Sequence, residues 1–250
     1  MKIVLAFAVG CYLLAAISLS IFQRELLYFP TPAVDHGLPQ EWLLSDEQTL
    51  EIAVINPGRE KAVLYFGGNA ETVSNNAGTW PDALEHHTVY LMHYRGYGNS
   101  TGSPSEVALY SDALTLYDAL EGRHQSVSAA GRSLGSGVAL YLASQRKLRS
   151  LVLITPYDSI ASVAQTHYPW FPVKALIRDK FDAAFYAASV KIPSKIMRAE
   201  HDKVIPAQHT NVLEKVLDHA QVWVAPNATH NTITSHPAFN DQLRQFLEIN

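Results

Sequence analysis

From about Glu41 onward the chain alternates short apolar runs with segments of helical periodicity, and this alternation restricts the folds open to it more than any other feature. "TLEIAVI" (Thr49 to Ile55) alternates like a strand with one exposed face. "KAVLYF" (Lys61 to Phe66), "TVYLMHY" (Thr88 to Tyr94), "SVSAA", "LVLIT", "SKIMRA" and "QVWVA" read as further strands, most of them buried. Helices are predicted between them over Ser105 to Glu121, Leu134 to Gln145, Ala207 to His219 and Pro237 to Leu247. Strands joined through helices of that size imply right-handed crossovers and an α/β fold, with a mostly parallel sheet covered by helices on both faces. With 250 residues, 48% of them hydrophobic, the chain supports one sizeable core. In such sheets chemistry gathers at the carboxyl ends of the strands, so each loop after a strand is a place to look.

The amino terminus differs in kind. Ile3 to Phe22, "IVLAFAVGCYLLAAISLSIF", carries no charge, and about 20 apolar residues suffice to cross a bilayer as a helix. The expected organisation is an anchor over residues 1–24 and one catalytic-type domain over 25–250. A cleaved signal sequence with Ala16-Ile17-Ser18 at its processing site is the rival reading, and "AVGC" loosely resembles a lipoprotein site at Cys11. The first reading makes a single-pass membrane protein with its domain on the extracytoplasmic side; the second makes a secreted or periplasmic one. The net charge of −4 and the lack of a Lys/Arg cluster argue against nucleic acid as a partner. Cys11 is the only cysteine, which excludes a disulfide within the chain. No HExxH, paired CxxC or Walker A pattern occurs, and neither metal nor cofactor is expected.

Among the loops, "GRSLG" (Gly131 to Gly135) stands out because it follows "SVSAA" and runs straight into "LGSGVALYLASQ". A plain strand-to-helix turn is one reading of it. The other is a sharp turn that holds the Ser133 hydroxyl exposed at the head of a helix, with flanking glycines keeping neighbours from colliding. A serine at its ordinary pKa is a poor nucleophile, so it needs a histidine to take its proton and a carboxylate to orient that histidine. His230 follows the last strand in "QVWVAPNATHN" and Asp202 follows the strand before it in "SKIMRAEHDKVIP". Asp158, in "LVLITPYDSI", competes for the acid role, with a helix cap as its other reading. His201, His209, His219 and His236 are read as without a role. Backbone N–H groups for a developing oxyanion are expected from Leu134 and from Asn69 or Gly68, in "YFGGNAE" after the "KAVLYF" strand.

Together with "YRGYGNSTGSPSE" (Tyr94 to Glu106) and "GRSLGSGVA", these residues make the chain resemble the alpha/beta-hydrolase superfamily, specifically its membrane-anchored serine hydrolases with a minimal lid, related to depalmitoylases and to bacterial serine aminopeptidase-like proteins. The resemblance runs from "ELLYFPTP" to Asn231. It implies a Ser133, Asp202 and His230 triad and an oxyanion hole built in part from "FGGNA". Three departures stand out: Gly67 replaces the histidine of the usual His-Gly-Asn, and Ala199 and Ala228 replace glycines near the acid and the histidine. The expected activity is hydrolysis of a carboxylic ester or acyl thioester, small or lipid-like, through an acyl-enzyme. A peptidase or amidase with the same triad and a non-enzymatic anchored scaffold are the alternatives. Between "LVLIT" and "SKIMRA" the chain is too short for a large cap, and "HYPWFP" within it offers Tyr168, Trp170 and Phe171 as an acyl-contacting wall or an interface anchor.

Overall fold

A computed structural model covers residues 1–250. Eight strands form one sheet: β1 (Gln40–Ser45), β2 (Gln48–Ile55), β3 (Lys61–Phe66), β4 (His87–Met92), β5 (Ser126–Arg132), β6 (Leu151–Ile154), β7 (Ser194–Ala199) and β8 (Gln221–Ala225). Their order is β1-β2-β4-β3-β5-β6-β7-β8, with β2 antiparallel to β1 and to β4 and every other pair parallel. The helices are α1 (Lys2–Ile21), α2 (Gln23–Leu27), α3 (Trp80–Ala83), α4 (Glu106–Leu120), α5 (Leu134–Gln145), α6 (Ile160–His167), α7 (Val173–Leu176), α8 (Ala183–Ala187), α9 (Ala207–Val216) and α10 (Phe239–Ile249).

The strand pleat sends alternate side chains into two cores. Along β3, Ala62, Leu64 and Phe66 join a core with Leu109 and Leu116 of α4, Val138 and Leu142 of α5 and Leu213 of α9. Val63 and Tyr65 face the other way and meet Trp80 of α3 and Phe239, Leu243 and Phe246 of α10. Burial on both faces is why these strands read as continuous apolar runs. The crossovers leave β3 toward β4 on one side and return to β5 on the other, so the sheet reverses direction between β3 and β5. A crevice opens at such a reversal, outside the carboxyl ends of the two strands.

Several elements depart from the sequence expectation: the short helices α2, α3, α6, α7 and α8 were not foreseen, and β2 is buried on both faces from Leu50 to Ile55 instead of having one exposed face. Strand β1 was not foreseen: it is an edge strand with Trp42 and Leu44 exposed. It turns into β2 through Asp46 and Glu47, both at positive φ (44° and 64°). That two-residue turn usually carries Asn-Gly or Asp-Gly, and Asp-Glu hides it. Strand β4 ends at Met92, so His93 and Tyr94 belong to the following loop.

Candidate active site

The turn after β5 places Ser133 at φ 49° and ψ −116°, a conformation L-residues avoid. The surroundings over-determine it. Ser133 N–H donates to the Ile154 carbonyl of β6 at 2.9 Å, and Ser136 N–H and Oγ both return to the Ser133 carbonyl. A Cβ on Gly135 would overlap the Phe66 and Gly67 carbonyls, and one on Gly131 would overlap the Gly135 carbonyl. Both glycines are therefore demanded by close backbone approach.

Three loops meet at this turn. His230 Nε2 lies 3.0 Å from Ser133 Oγ, and His230 Nδ1 lies 2.8 Å from Asp202 Oδ2. With Nδ1 facing a carboxylate, the neutral imidazole carries its proton there, and Nε2 accepts from the serine hydroxyl. The other oxygen, Asp202 Oδ1, accepts the N–H groups of Val204 and Ile205 at 2.9 and 2.8 Å, which fixes the carboxylate. His230 itself is buried.

The N–H groups of Leu134 and Asn69 make no hydrogen bond within the molecule. The loop carrying Asn69 passes beside the serine: a Cβ built on Gly68 would lie 3.6 Å from Ser133 Cβ. Of the two residues expected to share the second donor position, Gly68 is excluded, because its N–H donates to Glu71 Oε2 at 2.7 Å. The Asn69 side chain is committed elsewhere. Its Oδ1 accepts from Phe29 N–H and Tyr97 O–H at 2.9 Å each, and its Nδ2 donates to the Leu27 carbonyl. The Gly68–Asn69 loop is thus tied to the segment that leads out of α1.

Glu71 and Arg132 are the residues that sequence reasoning missed. Glu71 accepts from Gly68 N–H, Tyr65 O–H, Asn76 Nδ2 and Arg132 Nη1. Arg132 Nη2 in turn donates to the His230 carbonyl at 3.3 Å. Burial works against the Arg132 charge, but Glu71 and the Tyr65 oxygen outweigh it and hold the guanidinium above its ordinary pKa. One half-buried ion pair therefore joins the serine turn, the Gly68–Asn69 loop and the His230 loop. A clue lay in the sequence: two charges, Glu71 and Arg132, each adjoin a glycine loop after an apolar strand.

The remaining candidates lie apart. Asp158 faces His209, with Oδ1 2.8 Å from Nδ1, and also accepts Ser159 N–H. Tyr168 and Phe171 line an apolar cavity of about 130 Å³ between α1–α2 and α6–α7, with Leu26, Leu27 and Ile160. Trp170 is no part of that wall. Its side chain is 84% exposed, and only its carbonyl is engaged, by Tyr12 O–H. His36, Glu51 and His93 cluster beneath the 93–103 loop. Leu38 N–H donates to His36 Nδ1, so Nε2 carries the ring proton and donates to Glu51 Oε1 at 3.2 Å. That wiring suits a hydrogen-bonded brace for the loop and leaves His36 no lone pair for a metal.

A switch-point crevice with a strained serine and a histidine–carboxylate pair defines the class of hydrolases built on a sheet of this order. The family model for the alpha/beta hydrolase fold matches residues 61–190. An uncharacterized protein of Mycobacterium tuberculosis is 30% identical over 247 residues, covering 90% of this chain and 87% of its own length. A lysophosphatidylserine lipase of Danio rerio is 31% identical over 170 residues, covering 58% of this chain and 44% of the lipase. Among solved structures, a Pyrococcus furiosus esterase superposes with a TM-score of 0.68 at 18% identity, over 88% of this chain and 99% of the esterase. The chain belongs to the alpha/beta hydrolase fold family, and hydrolysis is the activity this membership supports.

Proposed function

We propose that the protein is a membrane-anchored serine hydrolase that cleaves a carboxylic ester or acyl thioester without a cofactor, and that α1 is the anchor, with the hydrolase domain on the extracytoplasmic side. Ser133 Oγ attacks the acyl carbon as His230 Nε2 takes its proton. The carbonyl oxygen becomes an oxyanion facing the free N–H groups of Leu134 and Asn69. His230 returns the proton to the departing alcohol or thiol, leaving an acyl-enzyme on Ser133. Water then attacks, with His230 again as base, and the acid leaves. Asp202 holds the imidazole tautomer and stabilises the imidazolium. The observation that carries this reading is the 3.0 Å and 2.8 Å chain from Ser133 through His230 to Asp202, beside two unengaged amides. A carboxylic ester or thioester is favoured over a peptide because a lysophosphatidylserine lipase stands among the relatives.

The test is fluorophosphonate labelling of the detergent-solubilised chain, wild type beside Ser133→Ala, with mapping of the labelled peptide and a panel of ester, thioester and amide substrates. Labelling at Ser133 that is lost in the variant, with esters or thioesters turned over faster than amides, is the expected result. Folded wild-type protein that takes no label would sink the serine mechanism and leave an anchored scaffold. Faster turnover of the amides would leave a peptidase or amidase.

A further inference from the structure

The turn between α6 and α7 lies alongside the apolar helix α1. The Phe171 ring stacks on Tyr12 of α1, with centroids 5.2 Å apart and planes 4° from parallel, and Tyr12 O–H donates to the Trp170 carbonyl at 2.9 Å. One helix-length further on, Gln23 Nε2 donates to the Leu176 carbonyl, Arg178 N–H donates to Gln23 Oε1, and Arg24 pairs with Asp179. The segment from Trp170 to Asp179 therefore runs beside α1 from its middle to its end. Tyr12 precedes Ile21, the last residue of α1, by nine residues, or about 13 Å at 1.5 Å per residue. That is close to half of an apolar bilayer core of about 30 Å.

If α1 spans a membrane, this geometry sets its neighbour at the same depth. We infer that Tyr168 to Leu176 enters the acyl-chain region of the bilayer beside α1, so that the hydrolase domain holds the membrane through a second, non-spanning insertion. The inference rests on the anchor reading of α1 and goes beyond it.

The local chemistry suits a lipid surroundings. Hydrocarbon offers no partner to a backbone amide, so any segment that enters it must satisfy its own. Pro169 and Pro172 have no N–H to satisfy. Every other N–H from Tyr168 to Ile177 except that of Trp170 donates within the molecule. Gln165 makes this possible from below: its Nε2 donates to the Tyr168 and Phe171 carbonyls, and its Oε1 accepts Lys174 N–H. The Trp170 carbonyl is met by Tyr12, and the Leu176 carbonyl by Gln23. Meanwhile Trp170 is 84% exposed, and about half of Tyr168 stays exposed beside the cavity it lines. An irregular turn in water would have little need for such closure, and an exposed indole would have no gain from its position. Lys174 alone is charged within the turn, and its long stem lets the ammonium reach the headgroups. Arg24, Arg178 and Lys180 follow where α1 ends, at headgroup level.

The test uses the full chain in phosphatidylcholine vesicles whose acyl chains are brominated at mid-length, a quencher of indole fluorescence on contact. Wild type is compared with Trp170→Phe, an exposed-site change the fold should tolerate. Cys11, the single cysteine and adjacent to Tyr12, reports on α1 independently through a membrane-impermeant maleimide. The expected result is a Cys11 that labels in detergent and is protected in vesicles, with wild-type emission quenched by brominated lipid and the quenched component missing from the variant. Protection of Cys11 with equal quenching in both proteins overturns the insertion and leaves the anchor standing. Labelling of Cys11 in intact vesicles removes the anchor, and the insertion with it.

Discussion

Two hydroxyl–imidazole–carboxylate chains stand at the same edge of the sheet, with nearly the same distances and different prospects. In one, Ser133 Oγ lies 3.0 Å from His230 Nε2, whose Nδ1 is 2.8 Å from Asp202. In the other, Thr166 Oγ1 lies 3.0 Å from His209 Nε2, whose Nδ1 is 2.8 Å from Asp158. Relay geometry alone cannot separate them. The backbone does. Ser133 occupies a positive-φ turn with the unengaged amides of Leu134 and Asn69 about it, whereas Thr166 sits in regular helix α6 and donates its hydroxyl hydrogen to the Ser162 carbonyl four residues back. The second chain joins α6 to α9 and the loop after β6. What the second chain lacks is the strained turn with N–H groups waiting for a developing oxyanion.

The sharpest way to break this comparison is to make the same change in both acids. Asp202→Asn should flip or misplace the His230 tautomer and lower kcat by about 10⁴-fold, while Asp158→Asn leaves kcat within a few-fold of wild type. Steady-state kinetics on a chromogenic short-chain ester reads both. Equal losses from the two changes would show that the assignment of the acid is wrong.

The next effect concerns what holds the first chain in register. Arg132→Gln or Glu71→Gln breaks the ion pair that links the serine turn, the Gly68–Asn69 loop and the His230 carbonyl. Loss of an oxyanion donor outright costs about 10²–10³-fold in kcat; a donor that is loosened should cost about ten- to a hundredfold, with KM little changed. Arg132→Lys should recover part of the loss, since it keeps the charge but gives up the second contact. Unaltered kcat in both Gln variants would reduce the pair to a structural contact.

How legible all this was depends on how local each signal is. The parallel strands and α5 show in the sequence because burial on both faces and helical periodicity are written in consecutive residues. Ser133 and His230 show because one lies in a short motif and the other in the loop after the last strand. Glu71, by contrast, acts by reaching across three loops, and nothing near it in sequence says that Arg132 lies opposite. Strand β1 was hidden by a turn of Asp46 and Glu47 in place of glycine, and by its half-exposed face. The pairing of His209 with Asp158 needs α9 to fold back beside the β6 loop, so a reading that left His209 idle had no local reason to do otherwise. Trp170 read as part of an acyl-contacting wall because aromatic runs are usually cores or pockets, yet the turn points it outward.

Within the second chain the expected effect is on stability. His209 is buried, and removing it leaves Asp158 with only the Ser159 N–H of its two partners. A hydrogen bond to a charged group contributes about 1.5–3 kcal/mol, so His209→Ala should lower the unfolding free energy by that order with kcat on the folded protein almost intact. Denaturant unfolding followed beside the ester assay separates the two. A large kcat loss at full stability would mean that the second relay does reach the reacting groups.

Another buried imidazole supplies the control: unlike His230 and His209, it has no carboxylate in hydrogen-bond contact. His87 opens β4; burial first, then Lys61 and His86, push its pKa down from 6.5 to about 4, with Glu248 and the Leu247 backbone pulling weakly the other way. The folded form thus keeps His87 neutral where the unfolded chain protonates it. Folded stability that is present above pH 6.5 is lost progressively as pH falls toward 4, with a slope of at most about 1.4 kcal/mol per pH unit from this one group. His87→Asn should flatten that slope between pH 6 and 4.5 without moving the pH profile of kcat, because His87 lies at the amino end of β4, opposite the edge that carries Ser133. Unfolding midpoints across that range read the first part, and ester kinetics reads the second. An unchanged slope would mean that His87 does not set the acid limit of the fold.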